Sequence, residues 1–245
     1  MMVPKRVVVL ATGGGSTYKY LNEWIGPGTE FLDAEVVKLV ASRNGIGAIE
    51  VAGMSGTNHC VVDRRDYKGR LDEYWQALLS QITSPVPDLV LQLGWLPLTP
   101  KEVIDALGDK LFNLHNSAID PGYRGIGGRG AHGMASHCIA TYVAKRIGRP
   151  FATAATIQYV HEKFDRGEMA TYVDIPIERS DSVGDVEDKV RATERELVVQ
   201  FVQDFAAGKI NRSTPAVRPE RLFERDEFDL LDEAFEVAKD LFPNG

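Results

Sequence analysis

An amide and an imidazole stand two residues apart at the end of an apolar run, in the segment Asn113-Leu114-His115. If this run is a strand, side-chain alternation places both groups on the same face. An amide donor beside an imidazole can hold a developing oxyanion, and the imidazole can also move a proton. Polar residues at strand ends are more often satisfied by nearby backbone groups, so the pair alone is a weak indication of catalysis.

A carboxylate in a predicted turn could complete this pair. Asp165 lies in the segment 164–167, where an aspartate commonly hydrogen-bonds the backbone of its own turn. If Asp165 instead faces His115, its negative charge favours the cationic form of the imidazole. The sequence spacing leaves both roles open.

A glycine-rich segment follows the first apolar run of the chain and consists of Gly13, Gly14, Gly15, Ser16 and Thr17. Glycines let backbone amides approach an anion, and a helix that starts here adds free donors. The spacing matches neither a dinucleotide fingerprint nor a loop ending in Gly-Lys-Ser/Thr. We predict an anion or phosphate site, with a plain tight turn as the alternative.

A second loop is rich in apolar side chains, namely Trp95, Leu96, Pro97 and Leu98. Aromatic and aliphatic surfaces line most small-molecule sites, so this loop could form a wall for a planar ligand. Ordinary loop packing is the alternative.

These residues depend for their positions on an alternation of strands and helices in the first half of the chain. Strands are predicted at residues 6–11, 36–42, 57–62, 88–93 and 111–115. Helices are predicted at 17–23, 45–52, 70–82 and 100–107, the last with a capping box begun by Thr99. This order predicts an α/β fold, a Rossmann-like and mostly parallel twisted sheet with helices on both faces.

Beyond His115 the pattern changes to a glycine-rich loop at residues 120–130. A helix is predicted at 131–147, ending against Gly148, followed by strands at 153–160 and 169–177. Asp185 is predicted to cap a long helix that ends near residue 207. A polar connection at 212–220 leads to a last helix at 228–242, which forms a C-terminal helical tail.

Composition narrows the kinds of partner. The 245 residues include 28 basic and 35 acidic side chains, a net charge of −7, whereas nucleic-acid binders usually have a basic surplus. The first apolar run is too short for a signal peptide or a membrane span. Two cysteines fit a reducing compartment, and neither cysteines nor histidines have metal-like spacing. We predict a cytoplasmic protein without a nucleic-acid, membrane or metal partner.

Together these segments resemble the folate-dependent formyltransferase family from about residue 7 to residue 207. Asn113-Leu114-His115 with Ser117 resembles the family's Asn-Ile-His-Pro-Ser signature. Tyr123-Arg124-Gly125 resembles a Tyr-Arg-Gly that follows in many members, and Asp165-Arg166-Gly167 takes the place of the catalytic Asp-Gly-Gly turn. The segment 190–194 resembles the one whose glutamate holds the ribose of an acceptor.

The resemblance implies transfer of a formyl group from the co-substrate 10-formyltetrahydrofolate to a primary amine, above all that of glycinamide ribonucleotide in purine biosynthesis. It implies that Asn113, His115 and Asp165 stabilise a tetrahedral intermediate. The glycine-rich segment would hold the acceptor's phosphate, and Glu194 its ribose. The implied folate contacts are Trp95, Leu96, Pro97, Leu98, Val160, His161 and Phe164. Residues 1–211 would form the catalytic domain of a monomer or homodimer, and 212–245 a helical extension packed on or beside it.

Several departures from the family pattern keep alternatives open. Asn116 stands where the signature has proline, Arg166 replaces the first glycine of Asp-Gly-Gly, and the loop from Asn116 to Arg129 is altered. A formyltransferase for another amine, such as an amino sugar nucleotide or a specialised metabolite, is therefore the nearest alternative. A non-catalytic or NAD-binding Rossmann-like protein is a further one, although the glycine spacing is unsuitable for a dinucleotide.

Overall fold

Seven strands and seven α-helices are found in residues 3–29, 31 and 33–243, the part of the chain that our computed structural model describes. They divide into two compact units. The first contains the residues up to Leu114 together with Val198–Asn211, and the second contains His115–Leu197 together with the residues from Arg212 onward. None of the described helices is long and apolar enough to cross a membrane.

Five parallel strands form the sheet of the first unit, in the order β3-β2-β1-β4-β5. They are β1 (Lys5–Ala11), β2 (Ala34–Ala41), β3 (His59–Val61), β4 (Leu89–Leu93) and β5 (Leu111–His115). Every residue of β4 and the last five residues of β1 are buried. Continuously buried and mostly apolar runs of this kind suit parallel strands that are covered on both faces. All five predicted strands are confirmed.

Four helices connect these strands at the predicted places: α1 (Ser16–Trp24), α2 (Gly47–Ser55), α3 (Leu71–Thr83) and α4 (Lys101–Leu107). The capping box predicted for α4 is wrong, because Pro100 is the N-cap residue and no side chain caps this helix. The Thr99 hydroxyl instead accepts a 2.7 Å hydrogen bond from Nε2 of Gln92. Gln92 is buried in β4 and needs a partner there.

The second unit contains an antiparallel strand pair, β6 (Phe151–Tyr159) and β7 (Met169–Ile177), in which Gln158 pairs with Met169 and Ala154 with Asp174. The helix α5 (Gly133–Arg146) precedes the pair and is followed, as predicted, by Gly148 with a left-handed φ of 78°.

The helix α6 (Val183–Ala206) contributes residues to both units. The cap predicted at Asp185 is wrong, because the backbone N–H of Asp185 donates to the Ser182 hydroxyl at 3.2 Å. The Asp185 carboxylate accepts from the Ser182 backbone at 2.8 Å, so the two residues form a capping box in which Ser182 is the cap. A serine three residues before an acid is the signal that identifies the true cap.

The tail packs within the second unit, where the last helix α7 (Phe228–Leu241) contacts α5. Leu231 and Ala238 are buried on its apolar stripe. Arg149 donates hydrogen bonds to the Leu222 carbonyl at 2.9 Å and to the Glu227 carboxylate at 2.8 Å. The end of the tail is therefore held by both apolar and ionic contacts.

Candidate active site

His115 and Asp165 lie side by side in the second unit. Nδ1 of His115 is 3.4 Å from Oδ1 of Asp165, and the two side chains are only 7% and 8% exposed. At the other edge of the ring, Nε2 lies 3.0 Å from the Ile126 carbonyl oxygen and 2.9 Å from the Ser117 hydroxyl, which itself donates to Ile126. Carboxylate and carbonyl oxygens only accept, so both ring nitrogens of His115 face hydrogen-bond acceptors.

Asp165 is fixed in a conformation that aspartate adopts infrequently, with φ at +53°. Its Oδ2 accepts from the Gly128 backbone N–H at 2.7 Å, and its Oδ1 accepts from Nε2 of Gln158 at 3.0 Å. A Cβ on Gly127 would lie 2.8 Å from Cβ of Asp165, and one on Gly167 would lie 1.7 Å from the Tyr159 carbonyl oxygen. Glycines at both places therefore permit the close packing that orients the carboxylate.

Asn113 occupies β5 two residues before His115 and pairs with Gln92 of β4. It is partly buried, and within the described part of the chain its side-chain amide forms no hydrogen bond. Strand alternation directs its side chain to the same face of β5 as that of His115. Asn113 therefore has a free donor at a strand end, which a ligand oxygen could accept.

The glycine-rich segment forms the turn before α1, in the first unit. Gly15 precedes the helix with φ at 73°, and no side chain caps the helix start. A Cβ on Gly15 would lie 2.7 Å from Cα of Ala48, so this position requires glycine. Gly13 and Gly14 are exposed and border open space. Uncapped amides beside open space allow an anion to reach the backbone.

Thr12 connects this segment to the predicted apolar wall. Its hydroxyl accepts from the Ser42 hydroxyl at 2.9 Å and from the Leu96 backbone N–H at 3.1 Å. Trp95 is buried, whereas Leu96 and Leu98 are 49% and 41% exposed. The leucines are therefore open to a ligand, and Trp95 packs beneath the surface.

The other predicted folate contacts follow β6. Val160 is partly buried, Phe164 is 39% exposed, and His161 is exposed. Nδ1 of His161 accepts from the Lys163 backbone at 3.0 Å, a bond local to this turn.

Glu194 lies on α6 in the second unit and is partly buried. Burial raises the pKa of its carboxyl to about 7, against the opposing effect of Arg191 and Arg195. The carboxylate forms no hydrogen bond with any residue in the described part of the chain. Its acceptor capacity is therefore available to a ligand.

Sequence reasoning missed the groups that orient the pair. The Ile126 carbonyl and the Gly128 amide are backbone groups. Because every residue has such groups, the amino-acid sequence does not indicate which of them take part. Gln158 is fully buried and uses both ends of its amide, since its Oε1 accepts from the Gly167 backbone N–H at 3.1 Å. An amide inside the apolar run 153–160 was the signal that could have identified it.

Asn116, which stands where the resemblance implies a proline, holds the start of α5. Its Nδ2 donates to the Gly133 carbonyl at 3.1 Å and lies 3.3 Å from Nε2 of His137. Burial, with lesser effects from His115 and Arg191, lowers the pKa of His137 to about 4. His137 is therefore neutral at physiological pH. No group of three or more metal-ligating side chains occurs among the described residues.

A cavity of about 320 Å³ in the second unit is separate from the predicted site residues. Its lining comes from three segments of the chain and consists of residues 120, 121, 123, 168, 169 and 215–221. Neither His115 nor Asp165 lines it.

The chain belongs to the formyl transferase family, whose model matches residues 5–202. A phosphoribosylglycinamide formyltransferase of Vigna unguiculata is 27% identical over 84% of this chain, which spans 62% of that relative's length. A methionyl-tRNA formyltransferase of Geobacillus thermodenitrificans is 33% identical, over 53% of this chain and 36% of the relative. The crystal structure of glycinamide ribonucleotide transformylase 1 from Symbiobacterium toebii superposes with a TM-score of 0.72 at 20% identity, covering 87% of this chain and 94% of that one. The predicted family and fold class are confirmed.

Proposed function

We propose that the protein transfers the formyl group of 10-formyltetrahydrofolate to the primary amine of glycinamide ribonucleotide. The observation that carries the proposal is the buried His115 ring, which has an Asp165 carboxylate at one nitrogen and the Ile126 carbonyl at the other. A ring nitrogen held in this way is placed to donate to an oxyanion that forms beside it. The family membership and the similarity to phosphoribosylglycinamide formyltransferases support the reaction class.

In the proposed reaction the acceptor amine attacks the formyl carbon and forms a new C–N bond. Asn113 donates a hydrogen bond to the formyl oxygen, and cationic His115 stabilises the oxyanion of the tetrahedral intermediate. Because Nε2 of His115 is committed to Ile126, the Nδ1 edge beside Asp165 is the one that acts. The bond to the folate nitrogen then breaks, and the amine proton moves to that nitrogen through Asp165.

Binding of the acceptor is assigned to the glycine-rich segment and to Glu194. The uncapped start of α1 would receive the phosphate, and the unpartnered carboxylate of Glu194 would accept hydrogen bonds from ribose hydroxyls. Folate would contact the exposed apolar side chains, principally Leu96, Leu98 and Phe164. No step requires a metal ion, and we place the reaction in the cytoplasm.

A different amine acceptor is favoured by one observation, the altered loop after His115. Asn116 anchors this loop to α5, where the family has a proline. The methionyl-tRNA formyltransferase similarity shows that relatives of this chain include proteins named for another acceptor.

The test is formyl transfer from 10-formyltetrahydrofolate to a panel of amines containing glycinamide ribonucleotide, an amino sugar nucleotide and methionyl-tRNA. We expect glycinamide ribonucleotide to give the highest kcat/KM. A higher value for another amine would replace the acceptor and keep the reaction class. Absence of transfer to any amine, with a correctly folded protein, would reject the enzymatic proposal.

A further inference from the structure

The first part of the tail runs along two segments that lead away from the catalytic pair. We call residues 212–222 the brace. The backbone N–H of Ala216 donates to the Met169 carbonyl at 2.8 Å, at the start of β7, four residues after Asp165. The backbone N–H of Leu222 donates to the Asp120 carboxylate at 3.1 Å, in the loop that follows His115. One stretch of chain therefore bonds both segments.

Arg218 joins the same two segments with one side chain. It is 7% exposed, and its Nε donates to the Ile119 carbonyl at 2.9 Å while its Nη1 donates to Asp174 of β7 at 2.7 Å. Its guanidinium lies 4.4 Å from the centre of the Tyr172 ring. Nη2 has no hydrogen-bond partner among the described residues. A planar guanidinium can bridge two acceptors at fixed geometry, which a lysine ammonium cannot reproduce.

Contacts of Arg218 and of the brace backbone lead to the two members of the catalytic pair. Ile119 follows Ala118, whose carbonyl accepts from the Ile126 backbone at 2.8 Å, and the Ile126 carbonyl faces His115. On the other side, the Ala216 backbone of the brace bonds Met169, which pairs across the strands with Gln158, and Gln158 holds Asp165. Arg218 contacts the same strand farther along, at Asp174.

We infer that Arg218 is a positioning residue that keeps His115 and Asp165 at their working separation. The inference rests on the proposed function, because the pair must carry out that reaction. The family model ends at residue 202, so the brace lies outside the part of the chain that the family match covers.

The test variant is Arg218→Ala, assayed for formyl transfer with the amine that gives the highest kcat/KM in the panel described above. A misplacement of about 1 Å can cost about 10²-fold in rate, and we expect kcat to fall by roughly 10- to 100-fold with little change in either KM. Guanidinium chloride at a non-denaturing concentration should restore part of the lost kcat, whereas sodium chloride at equal ionic strength should not. Retention of wild-type kcat, or a loss without guanidinium rescue, would overturn the inference.

The matched control is Tyr142→Phe, which removes a hydrogen bond to Glu233 of α7, in the part of the tail beyond the brace. We expect it to lower Tm without lowering kcat or responding to guanidinium. An equal loss of kcat in this variant would mean that general loosening of the tail is responsible, and would contradict the inference.

Two further measurements keep the inference testable. If Arg218→Ala does not fold, Arg218→Lys is the variant to use, because lysine keeps the positive charge but cannot bridge the two acceptors. Wild-type kcat in the lysine variant would disprove the role of Arg218. Hydrogen–deuterium exchange does not depend on enzymatic activity. It therefore tests the positioning role of Arg218 even if the wild-type protein transfers formyl to no amine and the proposed function fails. Exchange should accelerate in residues 118–128 and 165–169 of the Arg218 variant only, and unchanged exchange there would count against the brace.

Discussion

Glu194 provides the sharpest test, because its role in binding and its effect on stability have opposite signs. Its pKa of about 7 in the folded protein lies above the ordinary value of 4.5. Folding therefore favours the protonated carboxyl, and the folded state binds more protons than the unfolded state between these two values. The unfolding free energy must therefore fall as pH rises from about 4.5 to about 7. Above pH 7 the ionised carboxyl of Glu194 lowers the unfolding free energy by its full amount.

The replacement Glu194→Gln imitates the protonated carboxyl and removes this cost. A shift of about 2.5 pKa units corresponds to about 3 kcal/mol. We expect the variant to be more stable than the wild type by up to this amount at pH 8 and equally stable at pH 4. For a chain of this size the gain at pH 8 corresponds to a rise in Tm of roughly 6–12 °C.

The assay is urea unfolding of both proteins from pH 4 to pH 8, together with steady-state kinetics at pH 8. Glu196→Gln is the control, because this neighbour on α6 is exposed and its replacement should leave stability unchanged. In the kinetics, Glu194→Gln should raise the KM for the acceptor more than it lowers kcat, as the loss of ground-state binding does. Parallel pH profiles for the wild type and the Gln variant would refute the assignment of a raised pKa, and an unchanged KM would refute the ribose contact.

Three further predictions concern the remaining site residues. Asn113→Ala and His115→Ala should each lower kcat by about 10²–10³-fold with an unchanged circular dichroism spectrum, and near-normal turnover in either would remove that residue from the mechanism. Gly13→Ala adds a Cβ that meets open space, so it should raise the KM for the acceptor without changing Tm. Gly15→Ala should lower Tm, because φ at this position is 73° and the added Cβ would collide with Ala48. Gln158→Leu should lower kcat, because it removes the hydrogen bond to Asp165. Gln158→Glu puts a second carboxylate beside Asp165 and should also shift the pH–rate profile. Identical pH–rate profiles for the two variants would argue against a direct bond between Gln158 and Asp165.

The strands of the first unit were predictable because their burial leaves an unmistakable pattern. The segments 7–11 and 89–91 are continuously apolar and are buried along their whole length. The errors occurred at two helix starts, for different reasons. Thr99 serves the buried amide of Gln92 instead of α4, and local pattern cannot reveal a partner that takes the hydroxyl away. At α6 the cap is Ser182 rather than Asp185, and here the spacing of serine and acid in the sequence did carry the signal.

The candidate site was likewise predictable only in part. Resemblance to a family placed His115 and Asp165 in one site, and the structure brings the two side chains together. Their supports were not predictable, because the Ile126 carbonyl and the Gly128 amide act through the backbone. Arg218 acts over a sequence separation of 99 residues from Ile119, and no periodicity signals such a contact.

The conformation of Asp165 explains why these supports are needed. A non-glycine residue at φ of +53° costs roughly 1–2 kcal/mol relative to ordinary backbone. Each hydrogen bond to its charged carboxylate contributes about 1.5–3 kcal/mol, so the bonds from Gly128 and Gln158 together offset the strain. With one of them removed, the balance approaches zero and the turn can relax to a form in which the carboxylate no longer faces His115. The catalytic geometry is therefore conditional on groups that never touch a substrate, and their removal should affect kcat before it affects the fold.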